Sequence, residues 1–394
     1  MCLPVLQAIH RFNIAFAFPI HATATFAQIA AKCNRSEDEI RRILRMAMTY
    51  RLFHEPSPGT VAHTAATKAL VQSPLLQQWV GMWLEEMGPA LSRVVDAMEK
   101  WPGSQEPEET AFALGHGVPR SCYEEISRHP ERAKRFKDAM AYFQTHPGFR
   151  TGHVPESFAW NALGKAVVVD VGGSHGEVCV ELARRFPELE FVVQDRAEVI
   201  KATAAPKDVG ERVKFMEYDF FMEQTVKGAE VYFFRWILHN WSDQYCVKIL
   251  KALVPALKAR AWVLFQELLL PEPGAMSPFQ ERKHRWTDIG MLGMANAKER
   301  DRDDWVLLLK QVDDRFVLKD ICSPPTSELS MVQIIWDEDA ITTNGQKVAN
   351  SYSEVNGRIE DSKLAEVNAP TKVNGVTATN GEATQSKGCC CSKR

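Results

Sequence analysis

The stretch FFRWILHNWSD, from Phe233 to Asp243, sets one histidine, His239, between an apolar run and a polar turn. An imidazole with a reference pKa of about 6.5 can take a proton near neutral pH. Taken alone, such a histidine is more simply a satisfied core residue. Upstream, VVVDVGGSHGEVCVEL places Asp170 at the end of an apolar run and Gly172, Gly173 and Gly176 in the turn before a helix. Glycines let the backbone approach a ligand closely, and a helix start leaves N–H groups unpaired. A ligand site is therefore expected at the carboxyl end of this strand. The dinucleotide fingerprint G-x-G-x-x-G fails here, because matching its last two glycines to Gly173 and Gly176 puts Val171 at the first. An acid on the strand end would repel a pyrophosphate but attract an ammonium group, which suits a cationic cofactor. Asp195 ends a second apolar run 19 residues after Gly176, where it can accept hydrogen bonds from ribose hydroxyls. Asp219 ends a third and could accept from an adenine amino group, with Phe220 against the ring. Each acid alone could be a cap or turn residue; three at successive strand ends beside a glycine turn point to one site.

These residues need a sheet to position them. AVVVDVGG, EFVVQD, VKFMEYD, EVYFFRW, WVLFQELLL, RFVLKDI and MVQIIW read as strands, with helices between most of them, so a doubly wound α/β domain is expected over about 160 to 338. Ahead of it, Ser36 and Glu39 form a capping box before a helix with Ile40, Ile43, Leu44, Ala47 and Met48 on one face. TFAQIAAKC reads as a shorter helix, and LFHEPSPGTVAHT as a hairpin turning at Pro58-Gly59. Together they predict a winged-helix module over 1–70. Residues 71–160 read as helical, with Phe136, Met140 and Phe143 on one side of a helix.

The 394 residues carry a net charge of -3 with 45% hydrophobic residues, so nothing draws the chain to nucleic acid and a small-molecule partner is expected. The acids Glu37, Asp38 and Glu39 stand where a recognition helix would meet phosphate, which favours packing or dimerisation for the winged helix. Six of the nine cysteines are scattered without metal-ligand spacing, and no secretory signal is evident, so a cytoplasmic setting and no metal are expected. From 339 to 394 the composition predicts a disordered tail. It ends in SKGCCCSKR, where Cys389, Cys390 and Cys391 do not make a C-a-a-X box. S-acylation with the nearby basic residues would tether the chain to a membrane; an unmodified tail is the other outcome.

The motifs VVVDVGGSHGE, FVVQD, ILHNWSDQYCVKIL, FQELLLP and NAKERDRDDW, in this order, resemble the S-adenosylmethionine-dependent O-methyltransferases of the plant caffeate and chalcone type, and more closely their fungal relatives in secondary metabolism. The resemblance spans roughly residues 5 to 337. It implies a Rossmann-like seven-stranded class I methyltransferase domain with its last strand antiparallel, behind an N-terminal winged-helix and helical domain that gives homodimer contacts and a substrate wall. It implies cofactor contacts at Gly172, Asp195, Asp219 and Phe220, and at Arg235 where relatives often have lysine. It makes His239 the catalytic base, with Glu267 and Glu299 as the acids that flank and orient it. The helical wall is expected to include Phe136, Met140, Met291 and Met294. Two features depart from the family: relatives usually begin with additional helices that embrace the partner subunit, whereas this chain starts at LPVLQAIHRF, within what would be the next helix, and Asn240 follows the histidine where many have aspartate.

Methyl transfer from a sulfonium is an in-line displacement, so catalysis must align acceptor oxygen, methyl carbon and sulfur; positioning can contribute on the order of 7 to 11 kcal/mol. A phenol becomes a good nucleophile on losing its proton, the task His239 would perform. The expected function is thus O-methylation of a phenolic or similar hydroxyl on a small metabolite such as a polyketide. Two other classes stay open at this point: a non-catalytic relative acting as a binding partner, and a nicotinamide-dependent oxidoreductase.

Overall fold

Short β-branched runs bounded by glycines and acids give the sheet. In the computed structural model, which describes residues 3–201 and 203–340, seven strands lie in the order β5-β4-β3-β6-β7-β9-β8. They are β3 Ala166–Val171, β4 Leu189–Asp195, β5 Val213–Glu217, β6 Val231–Arg235, β7 Trp262–Glu267, β8 Phe316–Cys322 and β9 Ser330–Trp336. The first five pair in parallel, and β9 runs antiparallel to both β7 and β8. One reversed strand in an otherwise unidirectional sheet is what the motif resemblance implies.

Successive side chains point to opposite faces, and both faces are covered. Val168, Phe233 and Leu264 join the core beneath the Glu177–Arg185 helix, whereas their neighbours Val169, Phe234 and Phe265 join the core beneath the Asp243–Leu253 and Arg302–Val312 helices. Burial on both sides explains why these runs are continuously apolar rather than alternating.

The N-terminal part has the expected winged-helix elements. The Phe26–Cys33 and Glu37–Thr49 helices both start in capping boxes, the second formed by Ser36 and Glu39. Ile40, Leu44 and Ala47 are buried, while Ile43 and Met48 are half-buried. Gly59, with φ of 83°, closes a turn in which the Thr60 N–H donates to the Ser57 carbonyl. The hairpin is minimal: His54 bridges Ala62, and β2 (Thr60–Ala62) finds its longer partner in β1 (Thr23–Thr25). From Ala65 to Leu163 every regular element is a helix, joined by loops such as 101–110. The Pro278–Ala295 helix, inserted between β7 and β8, packs into this region, so that Met294 and Ala295 share a core with Met82, Phe112 and Cys122. The segment from 341 onward, with Cys389, Cys390 and Cys391, lies outside the described residues.

Candidate active site

The glycine turn after β3 is shaped first by its own neighbours. Gly172 has a φ of 74°, and a Cβ there would come within 2.5 Å of the Ile237 side chain; one at Gly173 would come within 2.5 Å of the Asp170 carboxylate. Gly176, also left-handed, starts the Glu177–Arg185 helix. Asp170 is 2% exposed, and it faces inward, receiving the Cys179 thiol at 3.2 Å. Burial pushes its carboxyl up to about 6, with Cys179 and the Arg235 guanidinium pulling it back.

The neighbouring strand ends complete a polar row along the carboxyl edge. Asp195 ends β4 half-buried, its Oδ2 accepting from the Ser174 N–H at 2.9 Å and its Oδ1 from the Arg196 N–H at 2.8 Å. This ties the glycine turn to the next strand and leaves lone pairs for hydroxyl groups. Asp219, just past β5, is exposed and accepts from the Phe221 N–H at 3.0 Å. Phe220 is half-buried, edge-on to Trp241 at 6.0 Å. Arg235 closes β6, its Nε donating to Gln266 Oε1 at 2.8 Å and its Nη2 to the Phe149 carbonyl at 2.6 Å. Burial lowers its guanidinium to about 10, while Asp170 and Glu177 support the charge.

His239 stands in the Leu238–Asn240 turn after β6. Its Nδ1 lies 3.1 Å from Glu299 Oε1. An Nδ1–H donated to that carboxylate leaves Nε2 with the lone pair. Burial alone would lower the His239 pKa, but the charge and hydrogen bond of Glu299, with Glu267 behind, raise it above the ordinary value against opposition from Arg300. Glu267 works differently from the expected ring contact. Its Oε1 accepts from the N–H groups of Ile237 and Leu238 at 3.0 and 2.8 Å, and its Oε2 from that of His239 at 2.9 Å. Glu299 holds the ring; Glu267 holds the backbone that carries it. Glu299 Oε2 is buried without a hydrogen-bond partner among the described residues. His239, Glu267 and Glu299 offer ligand atoms within 4.8 Å of one another. A cation there would compete with the three backbone N–H groups for Glu267 and with the imidazole for Glu299.

Three residues at the site escaped sequence reasoning. Trp236 has a φ of 58°, a strained conformation of the kind found at functional sites, and its ring lies 4.6 Å from that of His239. Tyr123, from the Cys122–Ser127 helix, donates its hydroxyl to Asn240 Oδ1 and meets Phe136 edge-on at 5.9 Å. Arg300, which could pass for one member of a solvated charge run with Glu299, Asp301 and Arg302, is 2% exposed. Its burial follows from the carbonyls and the carboxylate it binds. The four wall residues share one apolar cluster: Phe136 and Met140 from the Pro130–Gln144 helix, Met291 and Met294 from the Pro278–Ala295 helix, which packs against the Leu238–Asn240 turn. Trp241 packs on Phe221 and Tyr245. Two surface recesses, of about 350 Å3 beside Val94 and Asn296 and about 590 Å3 beside Phe279 and Trp286, are lined by none of the site residues.

Residues 99–313 match the family model described as an O-methyltransferase domain. This chain belongs to that family. It is 41% identical over 331 residues to the O-methyltransferase kk1A of Curvularia clavata, covering 84% of this chain and 78% of the relative. It is 35% identical over 363 residues to the grayanic acid biosynthesis cluster O-methyltransferase of Cladonia grayi, covering 91% and 77%. In fold it matches OxaC in complex with sinefungin and meleagrin, with a TM-score of 0.71 at 21% identity and 85% of each chain covered. The protein is therefore an S-adenosylmethionine-dependent O-methyltransferase with a class I Rossmann-like sheet. The binding-partner and oxidoreductase readings fall away.

The strand-end row fits the methyl donor. Asp195 retains acceptor capacity for ribose hydroxyls, Asp219 is open beside Phe220, and the inward Asp170 supplies negative charge beneath a turn in which a Cβ at Gly172 or Gly173 would crowd Ile237 or Asp170.

Proposed function

We propose that this O-methyltransferase methylates a phenolic hydroxyl of a small secondary metabolite, such as a polyketide, with His239 as the general base. The observation that carries the proposal is the 3.1 Å pairing of His239 Nδ1 with buried Glu299. That pairing turns Nε2 toward the role of acceptor and stabilises the imidazolium formed when it takes the phenol proton. Bound S-adenosylmethionine supplies an electrophilic methyl group. Gly172, Gly173, Gly176, Asp170, Asp195, Asp219, Phe220 and Arg235 are the residues we assign to holding it. Met291, Met294, Phe136 and Met140 present an apolar surface suited to an aromatic acceptor and exclude water from the phenolate. The names of relatives associated with fungal metabolites support the substrate class.

Mass spectrometry of a phenol and polyketide library incubated with enzyme and S-adenosylmethionine tests the proposal. A product heavier by one methyl, with alkaline lability ruled out as an ester, is the expected result; methylation confined to nitrogen or carbon acceptors would reject it. We also propose a homodimer in the cytoplasm, with the tail cysteines S-acylated. Exchange of Cys389, Cys390 and Cys391 for serine should then move the protein from the membrane fraction to the soluble one, and an unchanged distribution would refute the tether.

A further inference from the structure

The turn that carries His239 is too short to hold itself. Its local bonds are three: Asn240 N–H to the Ile237 carbonyl and Trp241 N–H to the Leu238 carbonyl, both 3.1 Å, and Asn240 Nδ2 to the Trp236 carbonyl at 2.9 Å. Everything else comes from outside. Glu267 takes the three leading N–H groups. On the opposite side, Arg300 Nη1 donates to the Leu238 carbonyl at 3.1 Å and Nη2 to the Trp241 carbonyl at 3.2 Å. The guanidinium is itself anchored, with Nε and Nη2 donating to Asp243 Oδ1 at 3.2 and 2.7 Å. Its main-chain carbonyl accepts from the Leu270 N–H at 3.0 Å, three residues beyond Glu267.

We propose that Arg300 is a positioning residue for the methyl transfer: its buried fork grips the carbonyl side of the turn whose amide side Glu267 holds, and so fixes the His239 imidazole against Glu299. The proposal rests on His239 being the base. A planar guanidinium suits the task because it reaches two carbonyls and a carboxylate at fixed angles, which a lysine ammonium does not. Its charge also opposes protonation of the imidazole, offsetting the two carboxylates nearby.

The test compares Arg300→Lys, Arg300→Met and, as a neighbouring exposed control, Arg302→Gln. The readouts are turnover of a phenol that the wild type methylates, affinity for S-adenosylhomocysteine, amide exchange at residues 237 to 239, and titration of His239 by NMR. Misplacement on the 1 Å scale costs about 100-fold, so Arg300→Met should lose about that much kcat and Arg300→Lys roughly tenfold, with product affinity changed less than about threefold. The amides should exchange faster in both. With the positive charge gone, His239 in Arg300→Met should titrate at a higher pH. Wild-type kcat and exchange in Arg300→Met would overturn the proposal, as would a kcat loss matched by an equal loss of product affinity. Should Arg300→Met fail to fold, Arg300→Lys decides by the same criteria. If the wild type methylates no phenol, the functional proposal fails separately, and exchange with titration still judges the clamp.

Discussion

Two stretches of the same sheet edge solve opposite problems. At the ends of β4 and β5, Asp195 and Asp219 remain half-buried and exposed, each using one or two lone pairs on a local N–H and keeping the rest for a ligand. After β6 the charged groups are sealed: Glu267, Glu299 and Arg300 are all at most 2% exposed. Two of these ions spend themselves on backbone rather than on each other. A recognition row must stay open to receive hydrogen bonds; a catalytic turn must be rigid before anything arrives. Buried ions are poor stabilisers in general, and here they set geometry.

The comparison can be broken most directly at the base. His239→Ala should lower kcat by about 100- to 10,000-fold, the span of general base catalysis, while calorimetry with S-adenosylhomocysteine shows the strand-end row intact. Next, Glu267→Gln should leave at least one backbone N–H facing an amide donor. A loss of about 1–3 kcal/mol in unfolding free energy is expected from an unsatisfied buried group, measured by denaturant titration, with kcat falling alongside. Asp195→Asn should sharpen the contrast: roughly tenfold weaker product binding, corresponding to about 1.4 kcal/mol, with little change in kcat at saturation. The smallest effect expected is in pH dependence. With His239 as the proposed base the neutral imidazole is the active form, and its raised pKa should place the acid limb of kcat above the pH where an ordinary histidine titrates, near 6.5. Asp170, pushed up to about 6, attracts a cation only when ionised, so affinity for S-adenosylmethionine should weaken below about pH 6. Two separate limbs, one in kcat and one in binding, are the expected outcome; coincident limbs would merge the two regions.

Much of this was legible in the sequence because strand order along a doubly wound sheet converts apolar runs and their terminal acids into one edge. Asp170, Asp195, Asp219, Glu267 and the His239 turn all sit where the spacing of those runs predicts. Atomic roles were less legible. Glu267 was expected to orient the ring, and its strand-end position fixes its reach without saying whether a ring nitrogen or three amides will take its oxygens. Arg300 lies in a run of charges indistinguishable from a solvated surface; only the chain folding back onto β7 buries it. Nothing local marks Tyr123, because its bond to Asn240 joins positions 117 residues apart. Trp236 sits inside the FFRWILHNWSD stretch, but a positive φ has no signature in a tryptophan.

The Pro278–Ala295 helix has a bearing on how new acceptors could be accommodated. Met291 and Met294 ride on it, and its exit runs within a few residues into Glu299 and Arg300. Redesign aimed at those methionines would disturb the proposed base and its partners at the same time, and Phe136 reaches the same turn through Tyr123 and Asn240, whereas Met140 sits on the other helix without that link. Broadening the repertoire of this enzyme should therefore begin at Met140, which shares the apolar cluster but not the Tyr123–Asn240 link.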